Sequence, residues 1–252
     1  MDRIAFKIPF TEDRVPTWPC PRCGAGQLQL LPKSLVKQET PDSRDHSHEE
    51  WDPGWIHYVY ACVFVCSNGV CREMIGSSGT GRVDYNEYDD EEHGWTQATE
   101  DLFTPKFFEP SLRLIDIPCS CPSEVSVYLQ ESFALFFAAP GAALNCVRTA
   151  VESVLTDLGV RRFTTVKAAR RPISLHQRIG LLPPKFRHLA EMLTAIKWLG
   201  NAGSHSGSDV SADDVLVAYN LVEHVLTEIY EAKGKKLTAI AKRVNKKKGP
   251  VK

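Results

Sequence analysis

The chain has no run approaching the ~18 apolar residues that a membrane-spanning helix needs. Its opening stretch, MDRIAFKIPF, offers neither an apolar h-region nor a small-residue cleavage site. No membrane partner is therefore expected, and the expected location is cytoplasmic. Net charge is lacking too. Thirty Lys and Arg stand against 31 Asp and Glu, a formal −1, so no global field steers the chain toward nucleic acid or a lipid surface. No internal repeat is visible, and helix signals are nearly absent from the first 83 residues.

What is present is unevenly spread. From Glu231 to Lys252 eight Lys and one Arg face a single acid, so this tail carries about +8 and the remainder about −9. With 252 residues, 43% of them hydrophobic, two modest cores are expected. The expected class is α+β, with a β-rich zinc ribbon over 1–122, an antiparallel all-α bundle over 123–232 and a basic tail over 233–252.

Local patterns set those boundaries. LQLLPK, WIHYVYACVFVC and EMIGSSGTG read as strands and loops. Two acidic, turn-rich stretches, Pro41 to Gly54 and Asp84 to Gly94, are expected to be exposed loops, and residues 95–122 a Pro-punctuated connector. From Glu124 the period becomes helical. Val125, Leu129 and Phe133 begin one face, and Leu144, Val147, Val151, Val154, Leu155 and Leu158 continue until Gly159. Ser174 caps a short helix ended by Pro183 and Pro184, and Phe186, Leu189, Leu193 and Ile196 form a stripe closing at Gly200. Ser211 and Asp214 form a capping box for the last helix of the bundle.

Eight cysteines in a reducing compartment favour metal over disulfides. Cys20-Pro-Arg-Cys23-Gly is a Cys-x2-Cys turn, with Gly24 free to take positive φ, and Cys66-Ser-Asn-Gly-Val-Cys71 is a wider second knuckle. The long insertion between them costs little, since closure grows only logarithmically with length. Cys20, Cys23, Cys66 and Cys71 are thus the expected ligands of one structural Zn2+ per chain. Four thiolates leave no open position for water, which argues against catalysis at the ion. Cys62 alternates with the ligand Cys66 and is either a substitute ligand or packed; Cys119 and Cys121 read as structural, and Cys146 as helix core. His46, His48, Asp42, Asp45 and Glu49 crowd one loop, where a solvated polar surface is commoner than a metal site.

Three segments carry a resemblance. Leu144-Asn-Cys-Val-Arg148-Thr-Ala-Val-Glu152, Leu175-His-Gln-Arg178-Ile179 and Ala195-Ile-Lys-Trp-Leu-Gly-Asn-Ala-Gly-Ser-His205 resemble, in that order, the bacterial domain-of-unknown-function 4145 family, which looks like a branch of the HEPN helical superfamily. The resemblance covers about residues 124–231, and the cysteine knuckles match members with an N-terminal ribbon. It implies a homodimer through the helical bundle and a metal-independent endoribonuclease of toxin or antiviral-defence type, in which His moves protons and a cation stabilises the phosphorane charge. Asn201 and His205 fit the polar and His positions. Gly200 stands where that pattern has Arg, and Lys197, one turn earlier, is the candidate cation.

The alternative is a helix-to-helix turn in which Gly200 stops one helix, Gly203 permits the reversal, and Asn201 and His205 bond to backbone. The protein would then be a non-catalytic module binding a partner protein, such as a component of a defence system, or nucleic acid. Arg148 and Glu152 are an i, i+4 pair on the helix surface or line the groove. Trp198 is expected in the core, with a stacking platform as the other option. Nucleic acid, RNA in particular, is the favoured partner, with Arg148, Lys235, Lys236, Lys242, Arg243, Lys246, Lys247 and Lys248 as the phosphate-neutralising set. A hydrolytic metalloenzyme built around His46 is a third class.

Overall fold

The computed structural model describes residues 3–90, 94–167, 169–203, 210–231 and 241–249. It is α+β, with an antiparallel sheet followed by helices. The chain forms two compact units: Met1–Leu114 with Phe133–Pro140, and Ile115–Ser132 with Gly141–Lys252.

In the first unit, β1 (Leu28–Leu30) and β2 (Val36–Glu39) both pair with β3 (His57–Cys66), which pairs with β4 (Met74–Asp90), and β4 with β5 (Gly94–Glu109), all antiparallel. The core is aromatic. Phe10 meets Trp18, Tyr60, Phe64 and Phe103 at ring separations of 5.9, 5.3, 5.2 and 5.3 Å, mostly edge-on, the arrangement that ring quadrupoles favour. The polar tips are satisfied: Trp18 Nε1 donates to the Ala5 carbonyl at 2.8 Å, and Tyr60 Oη and Ser77 Oγ lie 3.2 Å apart.

The acidic segment from Asp84 and the stretch after residue 95 differ from the loop and connector expected of them. They are the distal arms of the β4–β5 hairpin, with Asp84 opposite Glu100, Tyr85 opposite Thr99 and Asp90 opposite Gly94. Backbone pairing and the β-forming Tyr, Thr and Val residues outweigh the loop-like charge. Pro105 is accommodated where the register shifts between Ser78 and Gly79; a Cβ on Gly79 would lie 2.2 Å from the Thr104 carbonyl, so this approach requires glycine.

In the second unit, α1 (Ser123–Leu135), α2 (Pro140–Asp157), α4 (Ala190–Ala202) and α5 (Ala212–Tyr230) supply the bulk of the core, with the short α3 (Leu175–Gly180) between α2 and α4. Val125, Leu129, Val147, Val151, Val154, Leu193, Val215 and Val222 are fully buried, each such side chain contributing ~1.5–3 kcal/mol. Ser132 Oγ bridges the Ala143 carbonyl at 2.8 Å and Tyr219 Oη at 2.7 Å. Gly159, at φ +77, ends α2 in a Schellman arrangement: its amide bonds to the Thr156 carbonyl and that of Val160 to Leu155. Capping boxes stand at Ser174–Gln177 and Ser211–Asp214. This half is not all helix, because Phe163–Val166 and Ala169–Pro172 form a β-hairpin, β6 and β7, with the Arg170 guanidinium 3.8 Å from the Phe163 ring centroid. Residues 241–247 are helical.

Candidate functional site

The first knuckle turns at Cys20. The Gly24 amide bonds to its carbonyl at 2.9 Å, with Gly24 at φ +64 as expected, and the Cys20 amide bonds to the Gly26 carbonyl at 2.8 Å. Strand β1 then pairs Leu28 with Cys66 at the end of β3, bringing the knuckles together. In the second knuckle the amides of Cys71 and Arg72 both bond to the Asn68 carbonyl at 3.0 Å.

The four sulfurs lie within 4.8 Å of one another, with Cys20–Cys71 at 3.9 Å and Cys23–Cys66 at 3.6 Å. A tetrahedral ion with ~2.3 Å bonds to sulfur sets sulfurs ~3.8 Å apart, so the cluster fits a metal ion. Amides also point at the sulfurs. Gly26 N–H donates to Cys23 Sγ and Asn68 N–H to Cys66 Sγ, each at 3.4 Å, as favours thiolate ligands. The amides of Gly26 and Ala25 pull the Cys23 thiol down to about 6, while burial pushes Cys66 up to about 12. Arg22 joins the knuckles through Glu73 at 2.9 Å.

Gly26 is a residue that motif reading missed. Its Cβ would fall 2.4 Å from Cys66 Sγ, and the Gly-Ala-Gly spacing after Cys23 was the available signal. Cys62 is buried on the same strand, its thiol pushed up to about 12 by burial, and stands outside the cluster, as do Cys119, Cys121 and Cys146. Cys146 is half-buried rather than core, and Cys119 is exposed. His46 Nε2 lies 2.9 Å from Glu39 Oε1 and stacks on Trp51; among the described residues the four cysteines are the group with metal-holding geometry.

In the helical unit Gly200 does not stop α4, which continues to Ala202. It is buried because α2 crosses there: a Cβ at Gly200 would meet Arg148 Cβ at 2.6 Å, Arg148 Cδ at 3.1 Å and the Leu144 carbonyl at 3.2 Å. One turn on, a Cβ at Gly203 would lie 2.4 Å from the Gly141 carbonyl, and Asn145 Nδ2 donates to the Gly203 carbonyl at 3.2 Å. The end of α4 is thus clamped on α2, with Asn201 half-exposed. Arg148 Nη2 lies 3.5 Å from Glu152 Oε1, the pairing read from their spacing, while its Nε is buried without a hydrogen-bond partner among the described residues. Glu152 also lines a cleft of about 610 Å³ with Glu124, Tyr128, Thr156 and Arg162.

The other candidates divide. Lys197 is buried, its Nζ 3.2 Å from the Trp198 ring centroid, and Trp198 is 61% exposed rather than in the core. Apolar residues at 193, 196 and 200 already fill the inward stripe of α4, which turns position 198 outward. His205 lies outside the described residues, as do Lys235 and Lys236. Lys242, Arg243, Lys246 and Lys247 are exposed on the terminal helical segment, with Lys248 just after it.

A two-unit α+β protein with a four-cysteine candidate metal centre is thereby defined. Residues 8–108 match the family described as Domain of unknown function (DUF8608), and residues 130–247 match Domain of unknown function (DUF4145). The second match runs past the 124–231 resemblance into the basic tail. No curated protein and no solved structure matches the chain.

Proposed function

We propose that this is an RNA-directed nucleic-acid-binding protein in which a structural zinc ion staples the first unit and the helical unit holds phosphate. The observation that carries the reading is Arg148. Its aliphatic stem lies against Gly200, the residue before Asn201, and its buried Nε has no partner among the described residues. An unpaired buried donor costs ~1–3 kcal/mol, and a phosphate oxygen would satisfy it with a charge-assisted bond. The exposed Lys242, Arg243, Lys246 and Lys247 would add non-specific affinity through counterion release. Zinc is favoured over harder cations because all four ligands are thiols.

Cleavage is the stronger form of the proposal. His205 would exchange protons with the 2′-hydroxyl and the leaving oxygen, Asn201 would orient the phosphate, and Arg148, in place of Lys197, would neutralise it. Arg148 is preferred to Lys197 because the Lys197 side chain is buried, with its Nζ against the Trp198 ring. The same observation favours the second reading, a non-catalytic binding module, should Arg148 remain committed to Glu152.

The test is incubation of the purified full chain with single-stranded RNA without added divalent metal, beside Arg148→Ala, Asn201→Ala and His205→Ala, with binding and cleavage measured separately. Cleavage lost in all three while binding weakens only in Arg148→Ala supports the enzyme. Binding without cleavage leaves the module. Neither binding nor cleavage by the zinc-loaded chain would sink the RNA reading.

A further inference from the structure

Strand β3, HYVYACVFVC, is apolar or aromatic at every position after His57. Strands with such continuous runs are characteristically covered on both faces, since a strand with one wet face alternates apolar and polar residues. Here one face is covered. Tyr60, Cys62, Phe64 and Cys66 are buried, whereas Val59 and Ala61 are exposed and Val63 and Val65 half-buried.

The register extends that open face across four strands. Ala61 lies opposite Val36 on β2 and Ser78 on β4, Val59 opposite Thr80, Val65 opposite Met74, and Ser78 in turn opposite Phe107 on β5. Val36 is 68% exposed, Val59 55%, Met74 57% and Phe107 58%. These four alone present roughly 400 Å² of surface, already the size of the largest apolar patch on a typical monomer, which is often functional. No charged residue occurs from Tyr58 to Cys66 or from Met74 to Gly81.

We propose that this sheet face is where two copies of the chain associate, face to face about a two-fold axis. A surface whose centre carries no cation does not suit nucleic acid, whose binding is dominated by phosphate neutralisation. An uncharged centre is compatible with its own copy, as an isologous interface requires. Charged groups stand at the ends: exposed Arg82, paired with Asp84 at 3.0 Å, on one, opposite His57, and exposed Glu109 on the other, opposite Gly76. A two-fold axis across the strands sets Arg82 of one protomer over Glu109 of its partner. Ala61, Val63, Val65, Thr80 and Thr104 widen the face, and the rim at Arg82 and Glu109 adds to it, toward the ~800 Å² per partner that a standard interface takes. This dimer is independent of the RNA reading and uses a different surface from the helical bundle.

Sedimentation velocity on the zinc-loaded full chain over a range of concentrations tests it. A concentration-dependent dimer is expected. Val59→Lys, which brings like charges into an apolar interface, should weaken it at least about tenfold, and Met74→Lys likewise. Val70→Lys, at a 96% exposed site in the second knuckle, and Trp198→Ala should leave it intact. Zinc content and circular dichroism identify any variant that misfolds. A wild-type chain that stays monomeric throughout overturns the proposal. So does a dimer that Trp198→Ala weakens and the two sheet variants do not.

Discussion

Gly200 and Arg148 occupy one space: the Cβ of any larger residue at 200 would fall 2.6 Å from Arg148 Cβ. A glycine inside a helix ordinarily costs ~1 kcal/mol relative to alanine, so Gly200→Ala would stabilise an uncrowded α4. The contact reverses the sign. Overpacking of ~1–3 kcal/mol should exceed the gain in propensity, lowering the melting temperature and displacing the Arg148 side chain. Thermal denaturation of Gly200→Ala checks this, and a stabilised variant would show that α2 and α4 are not in tight contact there.

At the cysteine cluster, Gly26→Ala should interfere with the metal without removing a ligand, because its Cβ would meet Cys66 Sγ at 2.4 Å. We expect metal affinity to fall at least about tenfold, the scale on which supporting residues act. Stripping the wild type with a strong chelator should unfold the first unit, exposing buried Trp18, two residues before Cys20. Metal analysis and tryptophan emission report both. Retained emission after complete metal loss would refute the folding role.

Much of this was legible in the sequence, for local reasons. Gly159, Ser174 and Ser211 act within a few residues of themselves, so their helix ends followed from spacing. Cys20, Cys23, Cys66 and Cys71 were legible because chelation imposes short spacings whatever the fold. What escaped depends on partners distant along the chain. Nothing near Gly200 distinguishes a helix stop from a glycine crossed by Arg148, and the acidic Asp84 segment reads as a strand once residues 94–101 pair with it. The outward turn of Trp198 likewise follows from which face of α4 the other helices cover.

Alkaline stability should depend on Cys62. Burial pushes its thiol up to about 12, against the ~8.5 of an unfolded cysteine. Between those values the unfolded chain has lost a proton that the folded chain keeps, so stability is full below about pH 8.5 and falls as pH rises toward 12, at up to ~1.4 kcal/mol per unit for this group. Cys62→Val should flatten that decline. Denaturant titrations of both proteins between pH 8 and 11 measure it, and parallel curves would remove Cys62 as the source.

The basic tail separates electrostatic affinity from recognition at Arg148. Lys242, Arg243, Lys246, Lys247 and Lys248 end in solvent, and each phosphate neutralised on a single strand contributes ~0.7 to the slope of log K against log salt. Replacing all five with Gln should therefore reduce that slope by up to ~3.5 while leaving folding unchanged. Arg148→Ala removes a single contact and should reduce the slope by less than ~1, yet cost ~1.5–3 kcal/mol of binding, because its guanidinium is half-buried and its bond to phosphate charge-assisted. Fluorescence anisotropy on a short RNA across a salt series resolves the two. Equal slopes in wild type and the five-fold variant would mean that the tail does not touch RNA, leaving the helical unit to account for any binding alone.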